Sequence, residues 1–393
     1  MPESSAVNEL AARVFSVRKR RGLSQKQLAR LSGISESWVS KLEQGIHRDV
    51  RLSTVRKLAA ALQVSTTYLM GGRGDTEHEV EPDQTLWAPT YQALIGLAGP
   101  PGEEPTIDSV RGGIEALKAP LAGNRYSELA AALPVLLRDV ETFDGEGRAL
   151  RSQLLNTAGW VLTQTRQFAM AEPTLDRAID IAEDRLDAAA AVNTRVWLHL
   201  RQGQLDQART LATKWADDME PRFSKATTAE LTMWGRLLIS VSNAAIRDNR
   251  PGEAEDALKL ARAAAVRIGY EVLSDTSTAR TFGPTTVGMI DAENAAVLDQ
   301  PDRVLRIAER ISSQPRYATS VSRLRHQLDV AHALTVTRRH AESLAVLQRL
   351  AEVAPEWLAA QRYGRDILSH MFAAKRTLTP EMRNLADAIG LPY

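Results

Sequence analysis

Apolar residues recur at helical spacing from near the start of the chain. Leu10, Val14 and Val17 form one stripe, on a first helix that ends in Arg18-Lys19-Arg20-Arg21 before Gly22, four cations that suit a helix C-terminus and read as a solvated face or as contacts to phosphate. Leu28 and Leu31 keep the period on a second helix, Gly33 interrupts it, and Ile34, Val39 and Leu42 resume it on a third. Gly33 suits a sharp turn because it takes positive φ without a Cβ clash, and Ala29 is small enough to let two helices cross closely. Ser24 is placed to cap the second helix, with Gln27 at the capping-box position, and Ser35 to cap the third. Ser53 is then expected to cap a fourth helix through Leu62, and Ser65 a short fifth ending at Met70. Val55, Leu58, Leu62, Val64 and Leu69 close a small five-helix core.

Gly71-Gly72-Arg73-Gly74-Asp75 breaks the pattern, and the acidic stretch from Glu77 to Asp83 continues a polar linker able to let the first unit reorient. From Thr85 onward the chain is rich in alanine and leucine, helical in period, and without convincing alternating strands. A proline-rich break at Pro100–Pro105 precedes a helical pair from Ser109 to Val140. Asn156-Thr157-Ala158-Gly159-Trp160 is then echoed by Asn193-Thr194-Arg195-Val196-Trp197, and Phe168–Ala171 by Leu205–Ala208, both at an offset of 37 residues. Each block reads as helix, turn, helix, which suggests a solenoid. Trp357–Lys375 and Pro380–Ile389 read as two further helices, suited to capping the solenoid or to a dimer interface.

Composition narrows the class. A length of 393 residues allows two or more domains with sizeable cores. The absence of cysteine excludes disulfides and thiolate zinc sites and fits a reducing cytoplasm. No apolar run is long enough to cross a membrane and the N-terminus has no signal-like segment, so a soluble, cytoplasmic protein is expected. The net charge of +1 conceals an asymmetry: the first 73 residues carry +8 and the other 320 carry −7. A basic module suited to phosphate thus precedes a larger body that is not. No catalytic constellation is visible. The seven histidines lack ligand spacing, Gly71–Gly74 follows no strand, and Gly96–Gly102 lacks the lysine of a phosphate loop. No enzyme activity, catalytic residue, metal site or cofactor is expected.

The stretch LSQKQLARLSGISESWVSKLEQG resembles the DNA-binding helices of Cro/cI-like (xenobiotic-response-element) regulators, and RLSTVRKLAAALQVSTTYLMGG resembles their fourth and fifth helices. The resemblance covers about 70 residues and implies a helix-turn-helix domain whose third helix enters the major groove of double-stranded DNA. It implies phosphate or backbone roles for Gln25, Lys26 and Ser35, and base-edge roles for Glu36, Ser37, Lys41 and Ser40. Gln44 could reach base or phosphate, and Trp38 packs or touches sugar-phosphate. Arg48 and Arg51 on the following loop would grip phosphates. Glu43 matches a glutamate that usually pairs internally with an arginine.

The second half resembles tetratricopeptide repeats, in four to six degenerate copies. That pattern wants a small residue early in each second helix, the place filled by Ala171, Ala208, Ala254 and, more loosely, Ser343. The unit around Val304 matches poorly. The alignment implies a concave groove faced by Asn156, Trp160, Thr163, Asn193, Trp197, Arg236 and Asn243, residues able to read a peptide or small molecule. The whole is therefore similar to peptide-responsive quorum-sensing regulators: all-α, with a five-helix repressor-like DNA-binding domain at 1–72, a linker at 73–84 and an α-solenoid for sensing and dimerisation at 85–393. The implied partners are an operator, a second copy of the chain and a ligand. An alternative stays open, in which the repeats are a protein-interaction scaffold and DNA binding only localises it.

Overall fold

A computed structural model describes residues 3–20, 23–47, 50–62, 64, 66–70, 84–101, 104–273, 280–312, 321–374 and 378–391. The N-terminal head contains α1 (Glu3–Arg20), α2 (Gln25–Ser32), α3 (Glu36–Glu43), α4 (Leu52–Ala61) and α5 (Thr66–Leu69). Ser24 and Gln27 form the reciprocal capping box, Ser35 accepts from the Trp38 amide, and Gly33 takes φ 65° at the turn between α2 and α3. Val14, Leu28, Val39, Leu42, Leu58, Leu62 and Leu69 are fully buried in one core. Arg13 Nη1 donates to the Leu69 carbonyl at 3.1 Å and so ties α1 to α5.

Three local expectations are corrected. Ser53 lies inside α4, whose N-cap is Arg51 with no side-chain bond, because the helix starts two residues earlier than a serine cap would allow. Leu31 is 61% exposed: α2 turns only Leu28, Ala29 and Ser32 inward. Arg18 does not belong to a solvated cationic run but is buried and paired with Glu43. The expected cap Ser65, Arg48, and all of the 73–84 linker except Gln84 lie outside the described residues.

The body is helical. It opens with α6 (Gln84–Leu94), α7 (Ile107–Ala116), α8 (Lys118–Gly123) and α9 (Tyr126–Val140), so the expected pair over 109–140 is three helices. Five antiparallel hairpins follow: α10 (Arg148–Gln164) with α11 (Phe168–Asp180), α12 (Arg185–Arg201) with α13 (Leu205–Asp218), α14 (Thr228–Arg247) with α15 (Pro251–Ile268), α16 (Pro284–Val297) with α17 (Pro301–Ser312), and α18 (Val321–Val336) with α19 (His340–Val353). Their turns are built alike. Arg166, Gly203, Asn249, Asp299 and Arg338 each adopt positive φ. The next residue's amide then donates back five positions, as from Gln167 to Leu162 and from Gln300 to Ala295. This closes the first helix by satisfying an otherwise orphaned carbonyl. The unit around Val304 is thus a full member of the series.

The hairpins stack through small residues. Ala171, Ala208, Ala254 and Ser343 are fully buried, and a Cβ on Gly159 would overlap Leu175 of the partner helix. A two-residue antiparallel pair, β1 (Val272–Leu273) and β2 (Thr281–Phe282), interrupts the solenoid and seats Phe282 on Gly235, where a Cβ would collide with the ring. The chain ends in α20 (Pro355–Ala359), α21 (Arg362–Ala373) and α22 (Pro380–Ala388), which pack on α18 and α19. The body curls until Glu356 accepts bonds from the Ser127 amide and hydroxyl, both 2.8 Å, at the start of α9. A carboxylate there complements the positive end of the helix. No helix among the described residues is long and apolar enough to cross a membrane.

Candidate nucleic-acid interface and interior cavity

Helix α3 is two-sided because Val39 and Leu42 are pulled into the head core. Glu36, Ser37 and Lys41 are consequently exposed, Ser40 is half-exposed beside them, and Gln44 follows on the same side just past the helix end. Their spacing of one and four residues lays them along one helical face. Lys26, in the first turn of α2, and Arg51, the N-cap of α4, are exposed, and Ser35 caps α3 while remaining exposed. Trp38 is half-buried and stacks on His47, ring centroids 4.4 Å apart, so its ring braces the following loop.

The orientation of α3 is fixed by a buried ion pair. Arg18 Nε and Nη2 donate to the two oxygens of Glu43 at 2.5 and 2.6 Å, with both side chains almost fully shielded. Donating to the Glu43 carboxylate raises the Arg18 pKa above its ordinary value, against desolvation. Arg18 Nη1 also donates to the Leu23 carbonyl at 2.8 Å, and Gln25 Nε2 donates to Glu43 Oε2 at 2.8 Å. Gln25 therefore begins α2 already anchored to the end of α3. The fork-on-fork geometry of guanidinium and carboxylate locks α1, α2 and α3 together.

Residues 15–69 match the helix-turn-helix family model. This segment is a helix-turn-helix domain. Over 70 residues the chain is 34% identical to the HTH-type transcriptional regulator SlrR of Bacillus subtilis (strain 168), a match covering 18% of this chain and 46% of SlrR. It is 27% identical over 74 residues to the HTH-type transcriptional regulators SinR of Bacillus licheniformis and of Bacillus subtilis (strain 168), covering 19% of this chain and 67% of each. The chain thus spans less than half the length of SlrR, and the likeness lies in the helix-turn-helix domain. No solved structure matches the chain significantly.

The helix-turn-helix domain rests on the body through the side opposite in role to α3. Asn249 Nδ2, at the left-handed turn of the third hairpin, donates to the Val64 carbonyl at 3.1 Å and to Thr66 Oγ1 at 3.3 Å. Around this contact lies an open cleft of about 890 Å³, bounded on the head by Leu52, Arg56, Lys57 and Met70, and on the body by Trp197, Asp299, Arg325 and Tyr363. Burial lowers the Arg56 pKa, opposed chiefly by Asp299. Glu36, Ser37, Lys41 and Gln44 are not among the cleft residues.

A smaller cavity of about 90 Å³ lies inside the curl, walled by the first helices of all five hairpins. Trp160, Asn193, Trp197, Arg236 and Asn243 line it, five of the positions expected to face the groove. Asn156 and Thr163 are engaged within the stack instead: Asn156 Oδ1 accepts from Thr194 at 2.8 Å, and Thr163 donates to the Gly159 carbonyl. Sequence reasoning did not single out Arg280, Glu293 or Arg325, which complete the walls. Glu293 pairs with Arg247 and, at 3.4 Å, with Arg325. Burial works against its charge, yet these two guanidinium groups hold its pKa below the ordinary value. Arg325 also lies 4.8 Å from the Trp197 ring, in cation–π geometry.

Asp329 sits behind Glu293 and is pushed up to about 8, first by burial and then by the Glu293 charge, with Arg325, Arg247 and a Tyr363 hydrogen bond opposing. Its ordinary value is 3.8, so between about pH 4 and 8 the unfolded chain loses this proton and the folded chain keeps it. This group's contribution to stability is therefore full at acid pH and is lost as pH rises towards 8. Asp329→Asn is expected to raise the melting temperature more at about pH 8.5 than at about pH 5. Equal gains at both pH values in paired thermal melts would refute the assignment.

Proposed function

We propose that the protein is a sequence-specific, DNA-binding transcriptional regulator that acts as a homodimer and whose helical body senses a peptide or small ligand. The observation that carries this reading is the unobstructed polar face of α3, held in a fixed pose by Arg18, Glu43 and Gln25. In the complex, Glu36, Ser37, Ser40 and Lys41 meet base edges, while Gln25, Lys26, Ser35, Arg51 and the sequence-assigned Arg48 meet phosphates. Gln44 reaches base or backbone. The five hairpins are read as degenerate tetratricopeptide-like repeats. Because the head contacts the body at Asn249 beside the large cleft, a ligand there has a direct route to the head's position. Differential affinity of that ligand for two head positions would shift DNA binding.

The test is selection of bound duplexes from a random pool by the full-length chain. One helix-turn-helix reads only a few base pairs, so the enriched sequences should contain two inverted half-sites about one turn, roughly 34 Å, apart. Enrichment of no motif would defeat the reading, and enrichment of a single half-site would defeat the dimer.

A further inference from the structure

Two guanidinium groups converge in the interior cavity without a carboxylate among the described residues to balance them. The Asn193 amide, in the orientation that satisfies its neighbours, donates to Ser240 Oγ at 2.7 Å. Its oxygen then accepts from Arg280 Nη1 at 2.7 Å and from Arg236 Nη2 at 3.3 Å. One neutral acceptor thus serves two cations. Arg236 is only 4% exposed, and its Nη1 is buried with no hydrogen-bond partner. Among the described residues neither arginine forms an ion pair, and the only carboxylate lining the cavity, Glu293, is engaged with Arg247 and Arg325.

Such an arrangement is costly without a counter-charge. A buried charge is ordinarily paired, and an unpaired donor forfeits its full hydration. The cost registers on both groups: burial pulls Arg236 down to about 10, and burial with the Arg236 charge pulls Arg280 well below its ordinary value. Asp329, protonated at neutral pH, does not offset them. With Arg247 and Arg325 shared by Glu293, the described residues around the cavity carry a net excess of positive charge.

We propose that Arg236 and Arg280 form a binding site for an oxyanion, a carboxylate or phosphate group carried by a small ligand. Arginine presents a planar fork of donors matched to both groups. The cavity of about 90 Å³ accommodates such a group, and Trp197 and Arg325 are shared with the 890 Å³ cleft against the head. The charged end of the ligand therefore anchors between the arginines while its remainder runs past Trp197 towards the cleft. What occupancy does to the head rests on the regulatory reading above; oxyanion binding itself does not.

The experiment is thermal unfolding of the full-length chain in sodium phosphate, sodium acetate and sodium chloride at matched ionic strength. Wild type should melt about 2 °C or more higher in phosphate or acetate than in chloride. A gain in phosphate alone identifies a phosphate site, and one in acetate a carboxylate site. The head variant Gln25→Ala/Lys41→Ala should keep the gain, which separates this site from phosphate contacts on the helix-turn-helix. Arg236→Met and Arg280→Met should lose it, and in chloride Arg236→Met should melt no lower than wild type, since an uncompensated buried charge has gone. Should Arg236→Met not fold, Arg280→Met carries the comparison. No oxyanion-dependent gain in wild type, or a gain surviving in Arg280→Met, overturns the proposal. A gain that leaves operator affinity unchanged overturns instead the coupling of body to head.

Discussion

Glu43→Ala should destabilise the helix-turn-helix domain by about 3–5 kcal/mol, because it leaves the buried Arg18 guanidinium without its counter-charge. Arg18 would lose acceptors for Nε and Nη2, and Gln25 would lose the anchor for its Nε2. Domains of this size are held by about 5–15 kcal/mol, so much of the head's stability would go. The effect belongs to the broken pair, not to a large favourable energy of the intact one. An apolar replacement of both partners, Arg18→Met/Glu43→Leu, should therefore recover most of the loss. Denaturant unfolding of the full chain, followed by a probe in the head, checks both. A single variant as stable as wild type would show that the pair does not lock α1, α2 and α3.

Gln25→Ala/Lys41→Ala should leave the fold intact and lower affinity for the selected operator by roughly a hundredfold or more, since a base contact is worth about 1–3 kcal/mol and a phosphate contact adds to it. Lys41 is exposed on α3, and loss of the Gln25 side chain removes only one of the three donors on Glu43. The two roles separate by duplex sequence. Lys41→Ala alone should relax base preference at one position, whereas Gln25→Ala should weaken all duplexes alike. Mobility-shift titrations with the operator and with single-base variants of it distinguish them, and unchanged operator affinity in the double variant would defeat the assigned interface.

The arrangement of head and body gives a physical route between the two proposals. The contact at Asn249 falls on the turn of the third hairpin, whose first helix also carries Arg236 and Asn243. A ligand that orders the interior therefore acts on the same rigid element that touches the head. That element is 20 residues long and almost entirely buried, so it moves as a unit or not at all.

What the sequence determined by itself is local. Ser24, Gln27, Gly33 and Ser35 act through backbone groups within a few residues, and Val39 and Leu42 define the inner side of α3 by periodicity alone. Their outcome is written in short-range geometry, so the head was legible. The repeats were legible only where the marker residues survive. Four of the five hairpin turns place Arg166, Asn249, Asp299 or Arg338 in the left-handed region that glycine favours, and only Gly203 advertises the turn. The unit around Val304 was obscured because a valine stands where the other four units carry Ala171, Ala208, Ala254 or Ser343.

Tertiary structure alone decided that Arg18 is the arginine paired with Glu43, the seat of Val64 and Thr66 on Asn249, and the arrival of Arg280, Glu293 and Arg325 beside Asn193 and Arg236 at one cavity. Those residues are separated by tens of positions at irregular spacing, and each looks like an ordinary polar residue of an amphipathic helix. They meet because small rotations between successive hairpins add up to a closed curve, and that sum depends on the packing of Gly159, Gly235 and the buried alanines rather than on any local pattern.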